Sequence, residues 1–494
     1  MIRRKPLVPR TYRAFALAAA LGLTACNNPT PPPAPPPPPS GGYGTVPPQT
    51  AAAPGPGGAA QRFLSDMDVP GQWWQLFHSV QLNAFINEAL AKNPDVDAAQ
   101  AALLAARETA YAQRTSAYPN ALLSYSVSRQ EFPTFLAPPL SVSSSEYVYW
   151  LHTVSLNVTY TADVFGNLRY QTRSAEAAAQ AQRYQLEATY LTLTSNVVAA
   201  TIQAAGLRDQ IEATKQIIAI DRELLRLTQA QKENAQASSL DVLNAESALR
   251  QAEQTLPPLQ SSFQQTCTQL ARLLGRAPSD APSIDFGLAA LHLPQDLPLS
   301  FPSKLVAGRP DVAAASANLA QAAAAVGVAY TNRLPNFPIN AQVATQALKF
   351  VGLFGPASLL SLLTAEIATT IYDQGTLKHR QASAVAAYNE AVAQYRGTVL
   401  GGFEDVANAV IALTNDADAL VAAERSEQVA QKALHIVLSQ QEVGQVSSAA
   451  SLASEQSYEQ AVVARVAAEA TRYSDTAGLF EALGGGWWNR TDSQ

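Results

Sequence analysis

The sequence has few of the side chains that usually build catalytic and metal-binding sites. Its five histidines are scattered, and their spacing matches no metal-ligand motif. The chain also has no HExxH motif, no GxSxG motif and no phosphate-binding glycine loop. These absences exclude the signatures of zinc proteases, serine hydrolases and nucleotide-binding enzymes. We therefore predict a protein that is not an enzyme, with no catalytic residue, no metal and no cofactor.

Long apolar runs are also rare, and the clearest of them marks the N-terminus as a targeting segment. Five basic residues within positions 3–13 precede the apolar run Phe15–Leu23. This order is that of a secretory signal peptide, residues 1–25. The ending Leu23-Thr24-Ala25-Cys26 resembles a bacterial lipobox, which implies cleavage before the cysteine and lipid on its thiol. Asn27 in place of aspartate then favours the outer membrane. The alternative is an ordinary signal peptide with an incidental cysteine.

Cysteine and positive charge are scarce in the remaining chain. Cys267 is the only cysteine besides Cys26, and with Cys26 acylated no intrachain disulfide can form. We expect Cys267 to be a small buried apolar residue of a helix. Removing residues 1–25 takes away five positive charges, which changes the net charge from −6 to −11. An acidic mature chain is a poor partner for nucleic acid, so we predict no nucleic-acid binding.

Residues 26–60 are predicted to form a lipidated tether. The segment is dominated by proline, glycine and alanine and contains the run Pro35–Pro39. Such a composition cannot bury a core and favours an extended or disordered chain. Beyond the signal peptide we find no stretch of about 18 apolar residues and predict no transmembrane helix.

Four short segments alternate apolar and polar residues with a period of two, which is typical of strands that have one apolar face. The segments are 123–128, 154–160, 337–343 and 365–371, and they form the predicted hairpins 121–160 and 337–372. On a soluble sandwich the apolar faces would meet a second sheet, for which the chain has too few strands. In a membrane barrel they would contact lipid while the polar faces line a lumen.

Four strands are too few to close a membrane barrel. The smallest such barrels have about eight strands, and open edges are not tolerated in lipid. Other copies of the chain must therefore complete the sheet, and composition alone leaves both two and three copies open. The segments that join the paired strands carry aromatic residues suited to the membrane interface, with packing inside loops as the alternative. These residues are Phe132, Phe135, Tyr147, Tyr149 and Trp150.

Between the strands lie unusually long helical segments. From Asn167 to Pro257 the chain has a single glycine, no earlier proline and many strong helix formers. A break near residues 234–236 would leave a first helix of about 67 residues, or about 100 Å at 1.5 Å per residue. The second half repeats this from Thr376 to about residue 443. Helices of this length suit coiled coils. A periplasmic coiled-coil structural lipoprotein is therefore an alternative, although it leaves the alternating strands unexplained.

The two halves of the chain resemble each other. Asn93-Pro94-Asp95-Val96 recurs 216 positions later as Arg309-Pro310-Asp311-Val312. Pro257-Pro258 has no counterpart in the second half, so we expect a kink or break only in the first returning helix. The predicted parts after the tether are a first repeat, 61–275, an inter-repeat segment at the equator of the helices, 276–302, a second repeat, 303–483, and a tail, 484–494.

The order and spacing of several short motifs resemble those of the TolC-like outer membrane factors, especially the NodT-type lipoproteins of tripartite efflux systems. The resemblance runs from about Pro70 to Leu483, and its motifs are weak singly but strong together with the lipobox. The motifs are Trp73-Trp74, Asn93-Pro94-Asp95-Val96, Asp163-Val164-Phe165-Gly166-Asn167-Leu168-Arg169, Leu256-Pro257-Pro258-Leu259, Leu273-Leu274-Gly275-Arg276-Ala277-Pro278, Arg309-Pro310-Asp311-Val312 and Tyr372-Asp373-Gln374-Gly375.

The resemblance implies a fold that is mainly α with a membrane β-barrel. It implies a homotrimer whose twelve-stranded barrel in the outer membrane of a Gram-negative bacterium continues into a long periplasmic α-helical coiled-coil barrel. It also implies a passive exit duct for small molecules such as drugs and toxic compounds. The implied partners are outer membrane lipid, a periplasmic adaptor and an inner membrane pump of the resistance-nodulation-division class. An outer membrane channel for type I protein secretion is the alternative with the same fold.

The resemblance places the periplasmic tip, where the channel opens and the adaptor docks, at two helix-to-helix turns. Several family members carry aspartates inside the second turn as an acidic constriction. Because Gly444–Ala453 has no acid, that gate is not carried over to this chain. The tip residues are Asn234, Gln236, Ser238, Ser239 and Asp241 in the first turn and Glu442, Gly444, Gln445, Val446, Ser447 and Ser448 in the second.

Overall fold

The computed structural model describes residues 46–55, 57–65, 67–131, 148–299, 308–355 and 358–490. The described chain divides into two compact units. The sheet unit comprises residues 107–178 and 318–392, and the helical unit comprises residues 38–106, 179–317 and 393–494, apart from the gaps in the described ranges.

The described residues form seven α-helices and six strands. The helices are α1 Val80–Lys92, α2 Pro94–Thr115, α3 Asn167–Glu233, α4 Ser239–Leu273, α5 Pro310–Thr331, α6 Thr376–Glu442 and α7 Ser448–Ala482. The strands are β1 Arg62–Leu64, β2 Asn120–Glu131, β3 Val148–Thr161, β4 Asp296–Pro298, β5 Pro338–Ala347 and β6 Leu359–Ala365.

The sheet unit contains one antiparallel sheet in the order β2-β3-β5-β6. Residues that lie opposite each other share a face, and Leu123, Leu156 and Val343 form one apolar row across three strands. The next row carries Ser124 and Ser155, whose hydroxyl oxygens lie 2.8 Å apart. The alternation in the sequence therefore separates an apolar face from a polar one, as predicted for β2, β3 and β5.

The fourth strand does not lie where the alternation predicted it. The structure has β6 at 359–365, whereas the predicted strand covered 365–371. The ladder with β5 ends at the pair Ile339 and Ala365, and beyond it only Asn336 and Ala368 form an isolated bridge. The prediction was wrong because β6 carries leucine on both faces and so lacks the alternating pattern that identifies a half-buried strand.

The helices repeat in pairs of equal length. α2 and α5 have 22 residues each, α3 and α6 have 67 each, and α4 and α7 have 35 each. The predicted first helix of about 67 residues and its repeat are confirmed. Both long helices begin beneath a carboxylate that accepts hydrogen bonds from free backbone N–H groups and complements the helix dipole. The donors are Leu168 and Arg169 to Asp163, and Gly375 and Leu377 to Asp373.

The two adjacent prolines do not interrupt α4. The helix runs through Pro257 and Pro258 from Ser239 to Leu273, so a break at this place is wrong, while the alternative, a kink, stays a prediction. Each proline removes a backbone donor, but its φ angle is compatible with a helix. Leu249 before the prolines and Leu270 after them are buried, and this packing stabilises the turns on both sides.

Aromatic side chains from distant parts of the sequence form the core of the helical unit. Trp73 is fully buried and stacks on Phe480 of α7, with ring centroids 5.3 Å apart. The indole N–H of Trp487 donates to the carbonyl of Gly308 at 2.7 Å. Cys267 of α4 is buried in the same core, as predicted, and burial raises the pKa of its thiol.

The predicted tether extends too far along the chain. Residues 1–45 lie outside the described residues, but several residues before position 60 pack against the helical unit. Thr50 is buried, and the Gly55 N–H donates to the carboxylate of Glu424 in α6 at 2.9 Å. The proline- and glycine-rich composition concealed this packing because it depends on backbone groups and not on apolar side chains. We call residues 49–55 and 57–61 the strap.

Two helices contain windows apolar enough to cross a membrane, judged by length and composition alone. They are α5 and α6. The prediction that the chain has no such stretch is therefore wrong for these two windows. In α5 the hydropathy comes chiefly from alanine, and isolated polar residues concealed the window from a search for an unbroken apolar run.

Candidate functional site

The first tip turn, residues 234–238, joins α3 to α4. Ala235 adopts a left-handed conformation with a φ of 60°. Its N–H donates to the carbonyl of Lys232 at 2.9 Å, and the N–H of Gln236 donates to the carbonyl of Gln231 at 2.8 Å. This pair of bonds satisfies carbonyls that the end of a helix leaves free.

The helix that follows the first tip turn begins with a reciprocal cap. Ser238 Oγ accepts from the backbone N–H of Asp241 at 3.2 Å, and the Asp241 carboxylate accepts from the Ser238 N–H and hydroxyl, both at 2.7 Å. Both groups satisfy donors at the start of the helix. The hydrogen bonds from Ser238 hold the pKa of Asp241 below its ordinary value because they favour the ionised carboxylate.

The second tip turn, residues 443–447, joins α6 to α7 with the same backbone pattern. Gly444 has a φ of 73°. Its N–H donates to the carbonyl of Gln441 at 2.9 Å, and the N–H of Gln445 donates to the carbonyl of Gln440 at 2.9 Å. The residue in the left-handed position is a glycine, which adopts that conformation without the steric cost of a Cβ atom.

The cap after the second tip turn lacks the reciprocal half. Ser447 Oγ accepts from the backbone N–H of Ala450 at 3.4 Å. Alanine at position 450 offers no carboxylate to return the bond. Gln441 Nε2 donates to Ser448 Oγ at 3.1 Å and supplies a side-chain link across the turn. The two tip turns therefore share a backbone but differ in charge and in capping.

The predicted tip residues all lie at or beside these two turns, and all of them are exposed except the half-buried Val446. Sequence reasoning missed three large apolar side chains next to them. Leu240, Leu243 and Val443 are 64%, 60% and 68% exposed. An apolar residue flanking a solvated turn was the available signal, because such positions are usually polar. We call these three side chains the apolar tip residues.

The sheet unit carries a second exposed surface. Leu123 on β2, Val343 on β5 and Leu363 on β6 are 70%, 48% and 74% exposed, and they share the apolar face of the sheet. A contiguous apolar surface of this kind indicates contact with lipid or another protein. The opposite face carries serine and asparagine, including the hydrogen bond from Asn157 Nδ2 to Ser155 Oγ at 3.1 Å.

The predicted interface aromatics lie partly within the described chain. Trp150 on β3 is 55% exposed, and the Tyr149 hydroxyl donates to Gln130 Oε1 of β2 at 3.0 Å. Their role at a membrane interface stays a prediction. The remaining predicted aromatics and the predicted lipid attachment site lie outside the described residues: Phe132, Phe135, Tyr147 and Cys26.

Within the described ranges, no group of three or more histidine, cysteine, aspartate or glutamate side chains is arranged to hold a metal ion.

The chain is duplicated and combines an antiparallel sheet that has an exposed apolar face with two 67-residue helices. This combination is typical of the class of outer membrane channels built from a β-sheet and long helices. The sequence matches the family described as outer membrane efflux protein over residues 85–276 and 301–485. The chain belongs to this family, as its motifs predicted.

Several known proteins, two of them named for export or efflux, are similar to most of this chain. It is 27% identical over 472 residues to the pyoverdine export outer membrane protein OpmQ of Pseudomonas putida, covering 95% of this chain and 97% of that protein. It is 25% identical to the toluene efflux pump outer membrane protein TtgC of Pseudomonas putida, covering 90% and 92%. It is 23% identical to nodulation protein T of Rhizobium leguminosarum bv. trifolii, covering 74% and 77%.

Solved outer membrane channels share the fold. The outer membrane channel OprN matches with a TM-score of 0.75 and 24% identity over 90% of this chain and 98% of that chain. VceC of Vibrio cholerae matches with a TM-score of 0.75 and 25% identity over 85% and 100%. The open state of MtrE from Neisseria gonorrhoeae matches with a TM-score of 0.76 over 91% and 96%.

The family and these relatives confirm the predicted class of function and its location. The chain is an efflux channel of the outer membrane of Gram-negative bacteria, with a TolC-like fold. The family and its relatives are channel proteins and not enzymes.

Proposed function

We propose that three copies of this chain assemble into one twelve-stranded barrel. The observation that carries this proposal is the pair of open edges of the sheet. Within the described residues, β2 and β6 each pair on one side only. An unpaired strand edge leaves backbone polar groups unsatisfied, which lipid does not tolerate. Another copy must therefore pair with each edge, and the family resemblance implies three copies.

In this trimer the apolar face of the sheet contacts lipid and the polar face lines the pore. Acylated Cys26 adds a second attachment to the outer membrane. The sequence carries no nucleotide-binding motif, so the chain itself is a passive duct. A periplasmic adaptor and an inner membrane pump of the resistance-nodulation-division class deliver the cargo and supply the energy.

Small molecules are the proposed cargo. OpmQ and TtgC are named for the export of pyoverdine and for toluene efflux, respectively. The helices of this chain are rich in alanine, serine and glutamine, which supports a smooth conduit with little selectivity of its own. The names of these relatives favour efflux over type I protein secretion. Deletion of the gene is expected to raise susceptibility to several unrelated toxic compounds, and a compound panel tests this.

The oligomeric state tests the barrel directly. The purified mature chain in detergent is expected to run as a trimer on unheated gels, to dissociate on heating, and to conduct ions across planar bilayers. A monomer that is extracted without detergent and does not conduct contradicts the proposal.

The adaptor docks on the apolar tip residues in this proposal. Exposed leucine and valine beside a turn provide apolar area that a partner can bury at about 25 cal/mol per Å². Leu243→Ser with Val443→Ser is expected to reduce efflux in cells while bilayer conductance of the purified trimer is unchanged. Val429→Ser is a matched control, because Val429 lies on α6, the helix that ends just before Val443, and is also 68% exposed. Normal efflux in the double variant contradicts docking at these residues.

A further inference from the structure

A buried arginine holds the strap against α7. Arg472 is fully buried, and its guanidinium donates to the carbonyls of Gly57 and Ala59 at 3.0 and 2.8 Å. It also donates to Thr50 Oγ1 at 3.0 Å and to Gln61 Oε1 at 3.3 Å. All of these acceptors belong to the strap, so one side chain connects several points of the segment to the helix.

Gln61, a second buried residue, links the two ends of the strap by hydrogen bonds. Gln61 is fully buried, and its amide Nε2 donates to Thr476 Oγ1 of α7 and to the carbonyl of Pro294, each at 3.0 Å. The Thr50 N–H donates to the Gln61 carbonyl at 2.9 Å, and the Gln61 N–H donates back to Thr50 Oγ1 at 3.0 Å. The two ends of the strap therefore meet at Arg472.

Two buried carboxylates lie directly beneath the glycines of the strap. Glu424 and Glu469 are 3% and 2% exposed. A Cβ atom at Gly55 would lie 2.5 Å from Glu424 Oε1, and one at Gly57 would lie 2.9 Å from Glu469 Cγ. In each carboxylate, Oε1 has no hydrogen-bond partner among the described residues. A buried, partly unpaired charge costs free energy, so the docked strap, which covers Glu469, favours the protonated form of that carboxyl.

Burial raises the pKa of Glu469 and of a second carboxyl, that of Asp416 in α6. Burial raises the pKa of Glu469 to about 7, although Arg465 lowers it. Burial and a hydrogen bond with Asp475 raise the pKa of Asp416 to about 7. The titratable and charged groups that face Glu469 are Arg465, Asp209, Glu424 and Tyr473. Those that face Asp416 are Asp475 and Arg472.

We propose that Arg472 is the positioning residue for the strap, that the docked strap sets the end of the lipid tether, and that ionisation of Glu469 beneath Gly57 loosens the strap. The consequence for the tether rests on the proposed lipid at Cys26. At full extension the chain reaches at most about 80 Å from Cys26 to Gln49, and about 125 Å from Cys26 to Arg62. A docked strap therefore shortens the span between anchor and body by about a third.

The sign of the pH dependence follows from the direction of the pKa changes. The docked strap covers Glu469, and undocking exposes the carboxyl and moves its pKa back toward the ordinary glutamate value. The contribution of Glu469 to docking is therefore complete below that ordinary pKa and is lost as the pH rises through about 7. Between about pH 5.5 and pH 8, ionisation of Glu469 alone weakens docking by at most about 25-fold, the value for a full return to the ordinary pKa.

Hydrogen exchange of the strap in the full mature chain tests the proposal. Rates are corrected for the intrinsic pH dependence of amide exchange. Protection of the wild-type strap is expected to fall from about pH 5.5 to pH 8, by up to about 25-fold. Glu469→Gln keeps the neutral shape and is expected to keep strong protection at both pH values. Glu212→Gln is the matched control, because this exposed glutamate pairs with Lys215 and with no other cation in the described part of the chain, and it is expected to behave as the wild type.

Arg472→Gln is expected to remove strap protection at both pH values while the amides of α7 stay protected. The proposed loosening is overturned if the protection of the wild-type strap does not change with pH. It is also overturned if Glu469→Gln shows the same pH response as the wild type. Unchanged strap protection in Arg472→Gln overturns the positioning role. The mass of the N-terminal peptide reports lipid on Cys26 independently, so failure of the anchor and failure of the strap are separate results.

Discussion

The two repeats form the same tip turn from different residues. Both turns use a left-handed residue and the same pair of backbone hydrogen bonds, but that residue is Ala235 in the first and Gly444 in the second. The first turn also has a reciprocal cap from Asp241, whereas Ala450 occupies the matching place in the second. A duplicated backbone therefore tolerates different local stabilities, and the second tip is held by fewer side-chain bonds.

The two repeats also differ at the junctions before α2 and α5, and here the second repeat has the stronger side-chain contacts. The amide of Asn93 donates to the carbonyl of Leu273 at the end of α4 at 2.9 Å. Arg309 donates to the carbonyl of Ala482 at the end of α7, also at 2.9 Å. Arg309 additionally forms ion pairs with two aspartates. Both repeats cover a free helix carbonyl, but the second uses a charged group with more partners.

The largest difference between the repeats is expected at these junctions. Arg309→Ala removes a 12% exposed guanidinium and is expected to destabilise the helical unit by about 3 kcal/mol, because hydrogen bonds to charged groups are strong. Asn93→Ala is expected to cost about 1.5 kcal/mol. Opening free energies from native-state hydrogen exchange measure both. Arg208→Ala, at an exposed arginine, serves as control. Equal losses at both junctions would falsify the ranking.

The tip glycine is expected to have the next largest effect. Gly444→Ala places a Cβ atom in the left-handed region and is expected to weaken the second turn by about 1 kcal/mol. Ala235→Gly is expected to strengthen the first turn by less, because glycine also loses more backbone entropy on folding. Exchange at the turn amides measures both. Gly478→Ala in α7, where the added methyl meets open space, controls for the substitution itself and is expected to be neutral or stabilising.

The reciprocal cap of the first turn can be introduced into the second by a single substitution. Ala450→Asp supplies the second turn with the carboxylate that Asp241 supplies to the first. Slower exchange at residues 443–451 and fewer spontaneous openings in planar bilayers are expected, because the cap satisfies free N–H groups and complements the helix dipole. Ala450→Asn is the uncharged control. An increase in leak conductance for Ala450→Asp would contradict the expected stabilisation.

The smallest expected effect is the response of the first cap to acid. The pKa of Asp241 is lower in the folded chain, so its contribution is present above the ordinary aspartate pKa and is lost as the pH falls through the lowered value. Protection of the first turn is expected to fall in acid while that of the second does not respond. Asp241→Asn should abolish the difference between the turns, and exchange at both turns between about pH 6 and pH 3 checks this.

Much of the fold could be predicted from local patterns. The long proline-free segments predicted both 67-residue helices, and alternation predicted β2, β3 and β5. The misplaced β6 shows the limit, because its leucines lie on both faces and only its pairing with β5 identifies it as a strand. The strap was missed for a related reason. Its contacts are made by backbone groups, including those of Gly57 and Ala59, and by two polar side chains, Thr50 and Gln61, and such a composition does not distinguish a docked segment from a free one.

Part of the candidate site could likewise be predicted from the sequence, and part could not. The positions of the tip turns could be predicted from the sequence, because the runs of helix formers are interrupted near residues 234–236 and at Gly444. Exposure of Leu240, Leu243 and Val443 did not follow from it, since an apolar residue on a helix is usually buried and only the packed structure shows which ones are not.

Local propensity and motif order were enough to predict the helix lengths, the duplication, the turns and the family. Contacts between residues that are distant in the sequence depend instead on how the chain packs. Arg472 and the strap are more than 400 positions apart in sequence, and their hydrogen bonds exist because α7 and the N-terminal segment pack in one unit. Burial of Glu469 beneath the strap, and with it the raised pKa, is a property of that packing and not of any local sequence pattern.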